Sequence, residues 1–140
     1  LVDCFKRGNF VYVFGNGGSA AQSQHFAAEL MGKFEKIRDP LPAIALTTDT
    51  SFLTAWSNDV GFGTIFYRQI QALAKRGDVV IGISTSGKSF SVNLALSEAK
   101  FKEAITIDFP RNGKKTAECQ EYQLKLMHQV CREVEGELFK

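Results

Sequence analysis

The chain has 140 residues, 44% hydrophobic and 23% charged, a globular balance that excludes a disordered protein. Its 17 Lys and Arg against 15 Asp and Glu leave a net charge of +2, which argues against nucleic acid as a partner. No apolar run approaches the roughly 18 residues of a membrane span, and three cysteines without CxxC spacing read as free thiols of a cytoplasmic protein.

Taken in chain order, strand and helix signals alternate. Phe10–Phe14 is a short aromatic and β-branched run ending at Gly15. Ser19–Phe34 follows as a helix with Phe26, Leu30 and Phe34 on one stripe. Ala43–Leu46 is a second apolar run behind Pro40 and Pro42, and 51–58 and 65–75 read as helices. Val79–Ile83 is the clearest buried strand, followed by a helix from Ser89 to about Lys100 and a fourth apolar run, Ala104–Ile107. Pro110, Asn112 and Gly113 make 108–115 a loop, and the last helix runs from about Ala117 to Phe139. This alternation predicts an α/β fold: one domain over 1–140, a three-layer αβα sandwich around a mainly parallel sheet. Ligands of such sheets sit beyond the carboxyl ends of the strands.

Two loops leave those ends. Gly15-Asn16-Gly17-Gly18-Ser19 opens a helix, where glycines permit close approach and the helix start offers free N–H groups. It is neither a GxGxxG nor a Walker A pattern. A tight turn capped by Ser19 accounts for it equally well. The second loop carries Ser84, Thr85, Ser86 and Ser89, four hydroxyls in six residues, more than a helix cap requires. Several hydroxyls, backbone N–H groups and a helix start together suit a phosphate. Lys88 beside them either adds charge or points to solvent.

His25 and Glu29 lie one turn apart on one helix face. Gln120 and His128, eight apart on the last helix, can face one cleft from neighbouring rows. Two imidazoles and a carboxylate can ligate zinc, or serve as base and acid near neutral pH; a surface ion pair explains the same spacing.

The stretches FGNGGSAAQSQHFAAEL, LPAIALTTDTSFLTAWSND, GDVVIGISTSGKS and QEYQLKLMHQ together resemble the SIS (sugar isomerase) domain family and, within it, the phosphoheptose isomerases. The resemblance implies an SIS-type doubly wound fold and a homotetramer with active sites built between subunits. It implies isomerisation of sedoheptulose 7-phosphate to D-glycero-D-manno-heptose 7-phosphate, the first step toward the ADP-heptose of lipopolysaccharide core. By that resemblance Ser84, Thr85, Ser86 and Ser89 hold the phosphate, and Asn16, Gly17, Ser19, Asp59 and Gln120 line the sugar pocket. Glu29 and His128 match the catalytic pair, and His25, Glu29, Gln120 and His128 the positions that bind zinc in some members. The chain departs from the pattern at Lys88, where Asn is usual, and at Glu118 and Cys119 before Gln120. An N-terminal helical region is largely absent, and the stretch 107–116 is shorter than the family's loop, helix and strand.

Two rival readings exist. Non-catalytic SIS proteins that bind a replication-initiation partner share Ala20-Ala21 and Thr48-Asp49, but lack the glutamate after HFA and the last-helix histidine that stand here as Glu29 and His128. A sugar-phosphate sensor is the other, with no DNA-binding segment attached.

Overall fold

The computed structural model describes residues 1–140. The apolar runs form four strands: β1 (Val11–Gly15), β2 (Ala43–Ala45), β3 (Val79–Ile83) and β4 (Ile105–Asp108). They pair in parallel in the order β2-β1-β3-β4. Every residue of β1 and β3 is buried, as expected for central strands whose two faces are both covered. Six helices connect or flank them: α1 (Val2–Lys6), α2 (Gly18–Met31), α3 (Thr50–Asp59), α4 (Ile65–Leu73), α5 (Phe90–Phe101) and α6 (Thr116–Leu138).

Alternate strand residues feed two cores, because successive side chains point to opposite faces. Val11, Val13, Val79, Ile81 and Ile83 pack with Phe26 and Leu30 of α2 and Met127, Cys131 and Val134 of α6. Tyr12, Phe14 and Val80 pack on the other face with Phe66 and Ile70 of α4 and Val92, Ala95 and Leu96 of α5. A Cβ on Gly82 would lie 2.7 Å from Val92 and 2.9 Å from Leu96, so this glycine lets α5 lie directly on β3. The three layers and the parallel sheet agree with the sequence.

Several details differ from the sequence reading. The helix expected to reach Phe34 stops at Met31, and Gly32 takes its C-cap position. The next residues leave the helix because the N–H groups of Phe34, Glu35 and Lys36 turn to the Glu135 carboxylate. Ser89 precedes α5 as expected but makes no side-chain cap bond; its hydroxyl is engaged by Asn16. Helix α1 had no periodic signal over its five residues. Strand β4 has one unpaired edge, where Ile105 is 48% exposed.

The register places the functional loops. Gly15 pairs with Ile83, so the loops after β1 and β3 leave the sheet side by side. Helices α2 and α6 lie together and run the same way: Gln22 meets Gln120, Glu29 meets Cys131, and Phe34 meets Glu135. No helix is long and apolar enough to cross a membrane.

Candidate active site

A close-packed crossing holds the two strand-end loops together. A Cβ on Gly15 would come within 2.6 Å of the Ile83 carbonyl oxygen and 2.7 Å of Ser19. Gly17 has φ +58, a conformation glycine adopts without strain. The Asn16 amide nitrogen donates to Ser89 Oγ at 3.1 Å and Ser91 Oγ at 3.0 Å, tying the first loop to the second. Between the loops lies a cavity of about 140 Å³, lined by Asn16, Ser19, Ile83, Ser84, Thr85 and Ser89. The loop folds on its own hydroxyls: Gly87 N–H donates to Ser84 Oγ and Lys88 N–H to Ser86 Oγ, both at 3.1 Å. These bonds occupy oxygen lone pairs; Ser84 and Ser86 also share one hydroxyl hydrogen bond at 3.4 Å, which leaves the proton of the other hydroxyl to be offered to an anion. Gly87 has φ +68, and the Arg111 guanidinium, held by Asp108 at 2.6 and 2.7 Å, lies against it.

A larger cleft of about 650 Å³ adjoins this cavity at Asn16, with Gly17, Thr47, Ser57 and Asn58 among its lining residues. Asp59, the last residue of α3, lies beyond its lining and accepts a hydrogen bond from Asn58 at 3.0 Å.

The second cluster sits farther along α2. His25 Nε2 is 2.8 Å from Glu29 Oε1, and His128 Nε2 is 3.5 Å from the same oxygen. The imidazoles meet edge to face at 5.4 Å between ring centres. The ligating atoms of His25, Glu29 and His128 all lie within 4.8 Å of one another. Two imidazoles and a carboxylate at this separation are the donor set that zinc takes. The other oxygen of Glu29 accepts from the Cys131 thiol at 3.5 Å. Burial, with the Glu29 charge and that hydrogen bond, pushes the Cys131 thiol far up, so it stays protonated and can only donate.

Gln120 does not join this cluster. Eight residues before His128, it lies about 12 Å earlier along α6. Its amide packs against Gly18, and its carbonyl accepts from Gln22 at 2.7 Å. Likewise Glu29 lies ten residues beyond Ser19, about 15 Å along α2 from the hydroxyl cavity. Of the twelve site residues expected from the sequence, Asn16, Ser19, Ser84, Thr85 and Ser89 line the hydroxyl cavity, Gly17 lines the adjoining cleft, Gln120 lies against the start of α2, and His25, Glu29 and His128 form the second cluster; Ser86, in the hydroxyl loop, and Asp59 lie outside both linings.

Sequence reasoning missed four residues. Gln123, fully buried, donates to the Ser84 and Pro110 carbonyls at 3.3 and 3.2 Å and so supports the hydroxyl loop. Its signal was present: it stands in the apolar stripe of Met127, Cys131 and Val134. Cys131 shares that stripe. Arg38 and Glu135 form an ion pair at 3.0 Å whose side chains are 2% and 3% exposed; no local pattern links positions 97 residues apart.

The SIS domain family profile matches residues 1–109. The chain belongs to the SIS domain family. Within it, the relatives are phosphoheptose isomerases. That of Aquifex aeolicus (strain VF5) is 58% identical over 123 residues, spanning 87% of this chain and 64% of the relative. That of Citrifermentans bemidjiense is 48% identical over 157 positions, spanning 99% of this chain and 81% of the relative. Among solved structures, phosphoheptose isomerase GmhA from Neisseria gonorrhoeae superposes with a TM-score of 0.89 at 36% identity, over 96% of this chain and 80% of that one. A phosphoheptose isomerase from Francisella tularensis gives 0.92 at 33% identity, over 96% and 81%. The chain therefore spans about two thirds to four fifths of the length of these SIS relatives. A 157-position alignment against 140 residues also means that the relative carries extra residues within the matched span. These relatives are isomerases, which favours the enzyme over the partner-binding and sensor readings.

Proposed function

We propose that this chain interconverts sedoheptulose 7-phosphate and D-glycero-D-manno-heptose 7-phosphate, as an aldose–ketose isomerase feeding lipopolysaccharide core synthesis in the cytoplasm. The observation that carries this reading is the Glu29 carboxylate, its Oε1 shared by two imidazoles, in a chain that also carries a hydroxyl-lined cavity fit for a phosphate.

The reaction needs only proton movement. A base takes the C1 proton of the ketose while a donor protonates the C2 oxygen, giving an enediol. Returning the carbon proton to C2 and removing the O1 proton gives the aldose, so no proton or electron is gained or lost. Glu29 is suited to carry the carbon proton, and His128 to serve the oxygens. Ser84, Thr85, Ser86 and Ser89 hold the phosphate, and Asn16, Gly17, Ser19, Asp59 and Gln120 meet the sugar. Holding the phosphate away from the reacting carbons fixes their position. His25, Glu29 and His128, with Gln120 of another copy, would hold a zinc ion, which when bound polarises substrate oxygens.

About 15 Å along α2 separates the cavity from Glu29, farther than one sugar phosphate comfortably bridges. We therefore take each site to combine the phosphate loop of one copy with the Glu29–His128 pair of another, in a homo-oligomer, as a tetramer allows. The chain is read as one SIS domain in which 108–116 replaces a longer segment.

The test is steady-state isomerisation of sedoheptulose 7-phosphate by wild type and Glu29→Gln, with ligand affinity measured alongside. Glu29→Gln keeps size and hydrogen bonding but cannot accept the proton. Its turnover is expected to fall at least about 10²-fold with binding retained. Near-normal turnover removes Glu29 from the mechanism.

A further inference from the structure

Helix α2 ends two residues after Glu29, and the carbonyls of its last turn have no helical partners. One side chain collects two of them, those of Glu29 and Leu30, and also reaches the carbonyls of Gly32 and Asp39 beyond the helix. Arg38 Nη2 donates to the Glu29 carbonyl at 2.7 Å, and Nη1 to the Leu30 and Gly32 carbonyls at 2.8 and 3.1 Å. Arg38 Nε donates to Glu135 Oε1 at 3.0 Å. On the other side, the Glu135 carboxylate accepts the N–H groups of Phe34 (2.9 Å), Glu35 (2.9 Å) and Lys36 (3.0 Å). The Phe34 ring, held by that bond, stacks on the His128 imidazole at 5.6 Å and 25°.

Glu135 lies seven residues, about two turns, beyond His128 on α6. One buried pair thus touches both halves of the acid–base cluster: Arg38 grips the backbone of Glu29, and Glu135 grips the residue stacked on His128. A pair serving only to hold the fold would have no need to converge on these two residues. A buried pair also gains little stability over apolar packing of the same shape, which leaves geometric specification as its distinctive contribution.

We infer that Arg38 and Glu135 are positioning residues for the isomerisation, setting the register between the helix that carries Glu29 and the helix that carries His128. This rests on the proposed catalytic roles of those two residues. Lys at position 38 would keep a charge for Glu135, but a single ammonium cannot reproduce the planar fork to four carbonyls and a carboxylate.

The experiment compares Arg38→Lys and Glu135→Gln with wild type in the isomerase assay, each checked for folding by circular dichroism. Arg76→Ala, which removes an exposed pair with Glu103 at 3.6 Å, is the control and should leave the rates unchanged. Misplacement of about 1 Å can cost 10²-fold in rate, so the positioning role predicts kcat lower by roughly 10- to 100-fold in folded protein, with KM within about 3-fold. In a Glu29→Gln background, Arg38→Lys should cost almost nothing further, because it acts through Glu29. Wild-type kcat in folded Arg38→Lys and Glu135→Gln, a change confined to KM, or a full additional loss on Glu29→Gln would each overturn the inference. Should either variant fail to fold, the other decides, and the double change Arg38→Met/Glu135→Leu leaves no buried charge unpaired. A fully active double variant would also overturn it. Normal turnover by Glu29→Gln alone would instead strike the catalytic assignment.

Discussion

At the level of single residues, the hydroxyl loop makes the sharpest demand. Ser84 and Ser86 accept backbone N–H bonds from Gly87 and Lys88 and share one hydrogen bond with each other at 3.4 Å, so their oxygens shape the loop while one proton is free and the other is weakly held. Changing both to Ala removes two donors to a charged group, each worth about 1.5–3 kcal/mol. Sugar-phosphate affinity should fall more than about 10-fold for each, while circular dichroism stays unchanged. Isothermal titration of the double variant checks this. Unaltered affinity would leave these hydroxyls with only the structural role of shaping the turn. The four hydroxyls were legible in the sequence because they are contiguous. The His25–Glu29 pair was legible because helical spacing makes it local. What was not legible was Glu29's remaining environment: the Cys131 thiol on its second oxygen and Arg38 on its carbonyl. Cys131 is reached only through the packing of two helices, and Arg38 only once α2 stops short and the chain folds back.

Among the elements, α6 has the most varied duties. It carries Gln123 under the hydroxyl loop, His128 beside Glu29, and Glu135 under the chain after α2. Burial pushes the Glu135 carboxyl up, but the three backbone N–H groups and Arg38 outweigh it and hold the group below its ordinary 4.5. A carboxyl depressed on folding contributes stability that is fully present above its unfolded pKa and is lost as pH falls through its folded pKa. Exposed Glu35, lowered by its hydrogen bond to Arg132, titrates in the same direction. Urea midpoints should therefore decline on acidification below about pH 4.5, and the decline should be shallower in Glu135→Gln. An identical acid dependence in the two proteins would show that Glu135 is not depressed. The central strands were readable because both faces are apolar. β4 was equally readable as a strand, whereas its open edge was not, since pairing partners are a property of the sheet. The end of α2 was misjudged because Phe34 continues the apolar stripe while its backbone answers to a carboxylate 101 residues away.

Across the whole molecule, the fold class followed from the alternation of elements alone, whereas a site divided between subunits was expected only through the family resemblance. Sequence motifs give order along the chain, and both clusters begin on or beside the same helix. Only the rise of α2 reveals that its first turn and Glu29 are separate places. The half-buried flanks of α6 at Tyr122, Leu124 and Leu126 are consistent with a second copy lying alongside. Light scattering at micromolar concentration should give a mass above that of one chain, and a monomer would count against shared sites.

The distance between the phosphate loop and Glu29 has a genetic corollary. If each working site borrows its two halves from different copies, two dead proteins can make a live one. Ser84→Ala/Ser86→Ala, assayed at substrate well below its weakened affinity, and Glu29→Gln, each severely impaired alone, should regain activity when unfolded together and refolded as a mixture. Random assembly at equal amounts leaves about a quarter of the sites with both halves intact. Recovery near that fraction would mean that the functional unit of this protein is the contact between chains, and that a defect in one copy is felt in its neighbour's chemistry.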